Sequence, residues 1–312
     1  MLVALAGGVG AARFLRGLLR RVKAEDLVVI ANTGDDATFH GLHISPDIDT
    51  LIYTLAGVAE DEKGYGLKGD TFHVLDALGR LGHQKWFALG DRDFATHIHR
   101  TMLLRRGHPL SEVTFSLCEA WGLATRILPM TDSPVETRVV TERGDMHLQE
   151  FLARDHAEGA IQRVYVHGIE GAHAGPSVIE AILAAQGIVV CPSNPIISIG
   201  PILSVPGVRE ALRVTDAPIV GVSPIVAGAA VKGPSVPMLT AQGIEPSAYG
   251  VARLYSDFLD GFVIDQRDAA LEGRIAELKM HVAVTDTMMP TPDDAARVAD
   301  AALGLLAQAR NA

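Results

Sequence analysis

Four aspartates fall within fifteen residues of one another: Asp35 and Asp36 in Asn32-Thr33-Gly34-Asp35-Asp36, then Asp47 and Asp49 in Ser45-Pro46-Asp47-Ile48-Asp49-Thr50. Carboxylates grouped this closely suit Mg²⁺, which takes one or two protein oxygens and fills its octahedron with water and substrate phosphates. Helix capping by Ser45 or Asp47 explains one of them but not the whole group. Ahead of them stands Gly7-Gly8-Val9-Gly10, where missing side chains let backbone N–H groups approach a phosphate at a helix N-terminus. Arg13 follows in the first turn and opposes the helix dipole, which a nearby bound anion would explain as well as a plain surface arginine does. The turn is not a full dinucleotide fingerprint. Arg13 stands where the third glycine belongs, and Asn32, not an acidic residue, ends the next strand. No Walker lysine occurs.

A second group is Gly90-Asp91-Arg92-Asp93, at the entrance to a helix that carries His97, His99 and Arg100. Asp91 or Asp93 serves as an N-cap, and Arg92 between two carboxylates is either salt-bridged or set for a phosphate or ring carbonyl. His97 and His99, two apart on a helix, point different ways, so they are read as structural rather than as a metal pair. Two related loops follow strands further on: Pro192-Ser193-Asn194-Pro195 through Pro201, and Ser223-Pro224-Ile225-Val226-Ala227-Gly228. Stiff Pro and Gly with Ser and Asn donors suit a base, ribose or phosphate, and Lys232-Gly233-Pro234 lends a cation at the rim. Turn chemistry alone accounts for either loop, but two at strand ends in one chain favour a ligand site.

These residues need strands to present them. Leu2–Ala6 and Leu27–Ala31 read as buried parallel strands, with a helix over Ala11–Lys23 between them. A polar loop covers Asn32–Asp47. Helices are expected at Asp49–Val58, Thr71–Leu81, Asp93–Arg106 and Leu110–Trp121, forming a helical insertion over about residues 50–123. Val135–Glu142 and Asp145–Gln149 read as a hairpin turned by Arg143-Gly144. Further strands are expected at Arg163–His167, Ile188–Cys191, Ile219–Val222, Phe262–Asp265 and Val282–Thr285. Helices are expected at Pro176–Gln186, Val208–Val214, Ser247–Leu259 and Asp268–Leu278, with a last one capped by Thr291. The pattern is α/β: a single domain over residues 1–312, three-layered and Rossmann-like, with a mainly parallel sheet and the helical insertion. Ligands in such sheets bind outside the carboxyl ends of the strands, which is where the glycine turn, the aspartate loop and the two later Pro/Ser loops fall.

Composition sets the outer limits. The 312 residues are 48% hydrophobic and 21% charged, as in a globular protein. Twenty-seven basic against 37 acidic side chains give a net charge of −10, which argues against a nucleic-acid or anionic-membrane partner. Cys118 and Cys191 lie far apart and match no metal-ligand spacing, so a cytoplasmic location is expected. The stretch Pro218 to Val231 is broken by Ser223, Pro224 and glycines, and no segment approaches the ~20 apolar residues of a membrane span.

Taken together, Gly-Gly-Val-Gly-Ala-Ala-Arg-Phe-Leu at 7–15, Asn-Thr-Gly-Asp-Asp at 32–36, Ile-Ser-Pro-Asp-Ile-Asp-Thr at 44–50, Gly-Asp-Arg-Asp at 90–93, Pro-Ser-Asn-Pro at 192–195 and Val-Ser-Pro-Ile at 222–225 closely resemble the 2-phospho-L-lactate transferases of coenzyme F420 biosynthesis. The resemblance runs in order from residue 2 to about residue 290. It implies transfer of a phospho-acyl group (phospholactyl, phosphoenolpyruvyl or phosphoglyceryl) from a guanosine-diphospho-linked donor to the ribityl hydroxyl of the deazaflavin Fo, with release of GMP. It further implies Mg²⁺ and a homodimer. On that reading Asp47 and Asp49 are catalytic and, with Asp35 and Asp36 as second choices, hold the metal. Asp49 and Arg92 face Fo, and Gly8, Gly10, Arg13, Asn32, Ser193, Asn194 and Ser223 face the nucleotide. A related family, resembling the gluconeogenesis factors, shares the glycine turn and the Asn-Thr-Gly loop. It offers the alternative of a nucleotide-sugar-binding regulator. The Gly-Asp-Arg-Asp segment and the paired aspartates argue for the transferase.

Overall fold

The apolar runs pair as parallel strands buried on both faces. In the computed structural model, which describes residues 1–60 and 64–311, seven strands form one sheet: β1 (Leu2–Ala6), β2 (Leu27–Ala31), β3 (Arg126–Pro129), β4 (Gly187–Val190), β5 (Ile219–Val222), β6 (Gly261–Asp265) and β7 (His281–Thr285). Their order is β7-β6-β5-β4-β1-β2-β3, and every pairing is parallel. Val3 and Leu5 pack into one core and Ala4 and Ala6 into the other, as a two-layer cover of helices requires. The small alanines face the layer in which helix α1 (Gly8–Leu18) and the C-terminal helix Pro292–Arg310 lie close. There a Cβ on Gly17 would sit 2.2 Å from the backbone of Ala295, so the two helices touch backbone to backbone.

The chain runs outward from β1 through β2 to β3, then crosses back to β4 and runs outward the other way. The direction therefore reverses between β1 and β4. At such a switch point the two loops that leave the strands part and open a crevice. Here those loops are the glycine turn and Pro192-Ser193-Asn194.

The expected α/β sheet is present, and several local expectations are corrected. Helix α1 begins at Gly8 rather than Ala11, so the glycines form its first turn. Helix α2 (Pro46–Leu55) starts three residues earlier than expected. The fixed φ of Pro46 suits the first helical position, and this places Asp47 and Asp49 together in the first turn. The stretch expected as a polar loop contains a small antiparallel hairpin, Ala37–Phe39 with Leu42–Ile44. Glu136–Thr141 and Gly144–His147 form the expected hairpin, but Ile161–His167 joins that hairpin instead of the parallel sheet. Asp268–Leu278 divides into a 3₁₀ turn, Gln266–Leu271, and a short helix, Glu272–Ala276.

Between β2 and β3 lie α2, α3 (His73–Arg80), α4 (Asp91–Arg105) and α5 (Leu110–Ala120), the helices of the expected insertion. Residues 61–63 of that span lie outside the described residues. Thr291 caps the last helix in a reciprocal box with Asp294, as its sequence predicts. Among the described residues no helix is long and apolar enough to cross a membrane.

Candidate functional site

The crevice at the switch point is a cleft of about 440 Å³. Its floor comes from Gly7, Gly8 and Gly10 after β1 and from Pro192, Ser193 and Asn194 after β4. Ser223 and Pro224 follow β5, and Thr287 to Pro290 follow β7. Arg13 and Lys232 bring positive charge to the wall, and Asp35 and Asp47 bring negative charge. Eight residues expected at the site thus share one cavity: Gly8, Gly10, Arg13, Asp35, Asp47, Ser193, Asn194 and Ser223.

The glycines are required by space and by backbone conformation. Gly8 has φ +69°, a left-handed value that a side chain would strain. A Cβ on Gly10 would lie 2.3 Å from the carbonyl oxygen of Pro192. Only a bare backbone lets the two loops of the switch point meet.

Asn32 is fully buried behind the cleft and does not line it. Its side-chain amide donates to Asp47 Oδ2 at 2.9 Å, Asp35 Oδ1 at 3.3 Å and the Ile197 carbonyl at 3.2 Å. Its own oxygen accepts the Gly34 N–H at 2.8 Å. The residue therefore fixes both carboxylates and the loop that carries one of them. Gln149, from beyond the small sheet, donates to Asp35 Oδ2 at 3.1 Å.

Burial pushes the Asp47 carboxyl up to about 7; the Asn32 hydrogen bond opposes this and the nearby Asp36 adds to it. Asp35 is raised well above the usual range by burial first, then by Asp47 and Asp36. Asp36 is raised by burial and partly restored by His43 and Ser45. Buried carboxylates this close to one another repel, and a cation among them would relieve the repulsion.

The four aspartates do not point to one place. Asp36 turns away from the cleft, accepting from Ser45 Oγ at 2.7 Å and lying 3.0 Å from His43 Nε2. Asp49 turns toward α4, where Arg100 grips its two oxygens. Among the described residues no group of three or more His, Cys, Asp or Glu side chains is arranged to hold a metal by itself. Asp35 and Asp47 make the pair that faces the cleft. Arg92 opens α4 outside the cleft, with its backbone N–H on Asp70 Oδ1 at 2.9 Å and its guanidinium on the Lys68 carbonyl at 3.2 Å.

Several lining residues were not anticipated: Leu148, Leu152 and the Thr287–Pro290 segment. The last of these follows a strand, so the strand-end rule would have found it. It is anchored by Asp265, which accepts from the Thr287 N–H and hydroxyl at 2.8 and 2.9 Å. Leu148 and Leu152 come from the small sheet's side, and only the tertiary fold brings them in.

The sequence model of the family described as "2-phospho-L-lactate transferase CofD" matches residues 2–300. The chain belongs to that family. This decides between the two families weighed from the sequence, and the protein is an enzyme of the transferase family. CofD relatives align over nearly the whole chain. A Streptomyces coelicolor protein named phosphoenolpyruvate transferase is 44% identical, covering 100% of this chain and 99% of its own. A Methanosarcina mazei protein named 2-phospho-L-lactate transferase is 39% identical over 96% and 98%. A crystal structure of a UPF0052-family protein from Bacillus halodurans shares the fold, with a TM-score of 0.63 at 15% identity over 97% and 98% of the two chains. The CofD fold described above is thus a Rossmann-like α/β fold in which both kinds of loop, glycine turn and strand-end serine, converge on one cleft.

Proposed function

We propose that this CofD-family enzyme moves a phospho-acyl group from a guanosine-diphospho-linked small acid to the ribityl hydroxyl of Fo, releasing GMP. One observation carries the reading. The Asp47 carboxylate lies against the glycine turn, where a Cβ on Gly7 would sit 2.5 Å from Oδ2 and one on Gly8 3.5 Å from Oδ1, at the very helix N-terminus suited to a phosphate. A cation would let a carboxylate and a diphosphate share that corner, and Asp35 and Asp47 are the oxygen ligands available for Mg²⁺. When bound, Mg²⁺ would neutralise charge on the diphosphate and on the phosphorus under attack.

The chain's own groups then divide the work. The Gly8 and Gly10 backbone, Arg13, Ser193, Asn194 and Ser223 hold the guanosine diphosphate, with Asn32 fixing the carboxylates behind it. Arg92 and Asp49 serve the acceptor. The Fo hydroxyl oxygen forms the new bond to the phosphorus bearing the small acid. The bond from that phosphorus to the GMP oxygen breaks, and the hydroxyl proton passes to Asp49. Such transfer depends on position and electrostatics more than on covalent catalysis. Among the three small acids, the names of the Streptomyces relatives favour enolpyruvate. The enzyme acts as a cytoplasmic homodimer joined through its helical insertion. Exposed Ile98 and Met102, one turn apart on α4, and Phe115 on α5 offer the apolar surface for it.

The test is to incubate the protein with Mg²⁺, Fo and each of the three donors, and to assay GMP and phosphorylated deazaflavin. The reading expects both products with one donor and none in excess EDTA. No turnover with any donor overturns it. Asp49→Asn is expected to abolish turnover with the fold intact, and near wild-type activity would remove Asp49 from the mechanism. Light scattering checks the dimer.

A further inference from the structure

Asp47 and Asp49 are neighbours in sequence but lie on different sides of α2, because two residues advance a helix by about 200°. Asp47 lines the cleft and Asp49 faces α4. There Arg100 receives it with both terminal nitrogens: Nη1 donates to Oδ2 at 3.0 Å, and Nη2 donates to Oδ1. Arg100 is 0% exposed and is the largest fully buried side chain among the described residues.

The pair belongs to a longer buried chain of groups. His97, one turn earlier on α4, places Nδ1 3.2 Å from Arg100 Nη1 and 3.7 Å from Asp49 Oδ2. Its Nε2 lies 3.4 Å from Asp93 Oδ1. Asp93 in turn accepts the hydroxyl of Tyr53, back on α2, at 2.8 Å. The negative field of Asp49, reinforced by Asp36, keeps the guanidinium protonated against the cost of burial.

Stability does not account for such an arrangement. Taking two ions out of water costs several kcal/mol each, and well-packed apolar residues join two helices as well or better. What the ion pair supplies and apolar packing does not is a carboxylate held in one orientation. A planar guanidinium gripping both oxygens removes the carboxylate's rotational freedom. Asp49 stays 5% exposed.

We propose that Arg100, backed by His97, is a positioning residue that fixes the Asp49 carboxylate for the acceptor hydroxyl, so that α4 sets the geometry of the acceptor side. The proposal rests on the acceptor role of Asp49 given above. Arg100 touches no substrate and acts through Asp49 alone, which makes its effect separable from donor binding.

The test measures GMP release, with Fo and donor varied separately, for Arg100→Met and Arg100→Lys. For Arg100→Met a loss in kcat of about a hundredfold is expected, the scale of a displaced catalytic group. The KM for the donor and GDP binding by calorimetry should stay within about threefold of wild type, as for an interaction absent from the donor site. A kcat for Arg100→Met within about threefold of wild type overturns the proposal. Should Arg100→Met fail to fold, Arg100→Lys decides: it keeps the charge without the two-pronged grip. A Lys variant that melts and binds GDP like wild type yet keeps full kcat also overturns it. A wild-type enzyme without turnover is a different result: it defeats the functional reading first, and the positioning role of Arg100 falls with it.

Discussion

Asn32 Nδ2 lies 2.9 Å from Asp47 Oδ2 and 3.3 Å from Asp35 Oδ1, so one amide group binds two carboxylates that reach the cleft from different elements. An amide has two protons to give, and a third acceptor, the Ile197 carbonyl, also claims them. The corner holds more acceptor than donor capacity, and that surplus is what a cation would meet.

Replacing Asn32 tests the balance. Asn32→Asp exchanges the shared donor for a third carboxylate. GMP release is expected to fall by about a hundredfold or more, as expected when catalytic groups are displaced, with a lower melting temperature in the absence of ligand. Asn32→Ala should destabilise less, because it removes the donor without adding charge.

The protonation of Asp47 makes stability depend on pH in a definite sense. Its pKa rises on folding from the usual carboxylate range to about 7, so the folded chain binds the proton more tightly than the unfolded one. Ionisation therefore costs stability, which falls as pH rises through that window and levels off above it. Asp35, raised for the same reason of burial, contributes with the same sign. Asp47→Asn removes the penalty. Its melting temperature should gain on wild type between about pH 4 and pH 7, by roughly 2 °C for each kcal/mol in a chain of this size, while turnover is lost. A gap in melting temperature that does not change with pH would contradict the assignment.

Gly10 is where the two loops of the switch point meet. Gly10→Ala sets a methyl group 2.3 Å from the Pro192 oxygen, so one loop must move. Calorimetry with GDP should show binding weakened by about tenfold or more, with thermal stability reduced by about 1–3 kcal/mol as for overpacking.

Arg92 is the residue proposed to meet the acceptor. Arg92→Ala is expected to raise the KM for Fo by about tenfold, the loss of one charged contact, with the donor KM unchanged. A change in the donor KM alone would place Arg92 with the nucleotide instead.

Much of this site is legible in the amino-acid sequence, and the reasons are local. Short β-branched runs such as Leu27–Ala31 announce strands buried on both faces, and loops that follow parallel strands are where ligands bind. Glycine, proline and serine after Ala6, Cys191 and Val222 therefore pointed to the cleft from sequence alone. Element boundaries were less legible. Pro46 starts α2 three residues before the apolar pattern suggests, since its fixed φ costs nothing at the first helical position.

The chain's residues by themselves determined the class of sheet, the glycine turn and the acidic composition of the site, because each depends on neighbours within a few positions. The direction of each carboxylate depended on the tertiary structure. Asp47 and Asp49 are the same residue type two positions apart, yet one faces the cleft and the other a buried arginine fifty-one residues later in the chain. Spacing gives their divergence, but what each one meets is settled by how α2 packs between the sheet and α4. The same packing turns Asp36 to His43 and Ser45 and leaves Asp35 to the cleft. A carboxylate takes its role from the groups within a few ångströms of it, and here most of those groups come from distant parts of the chain.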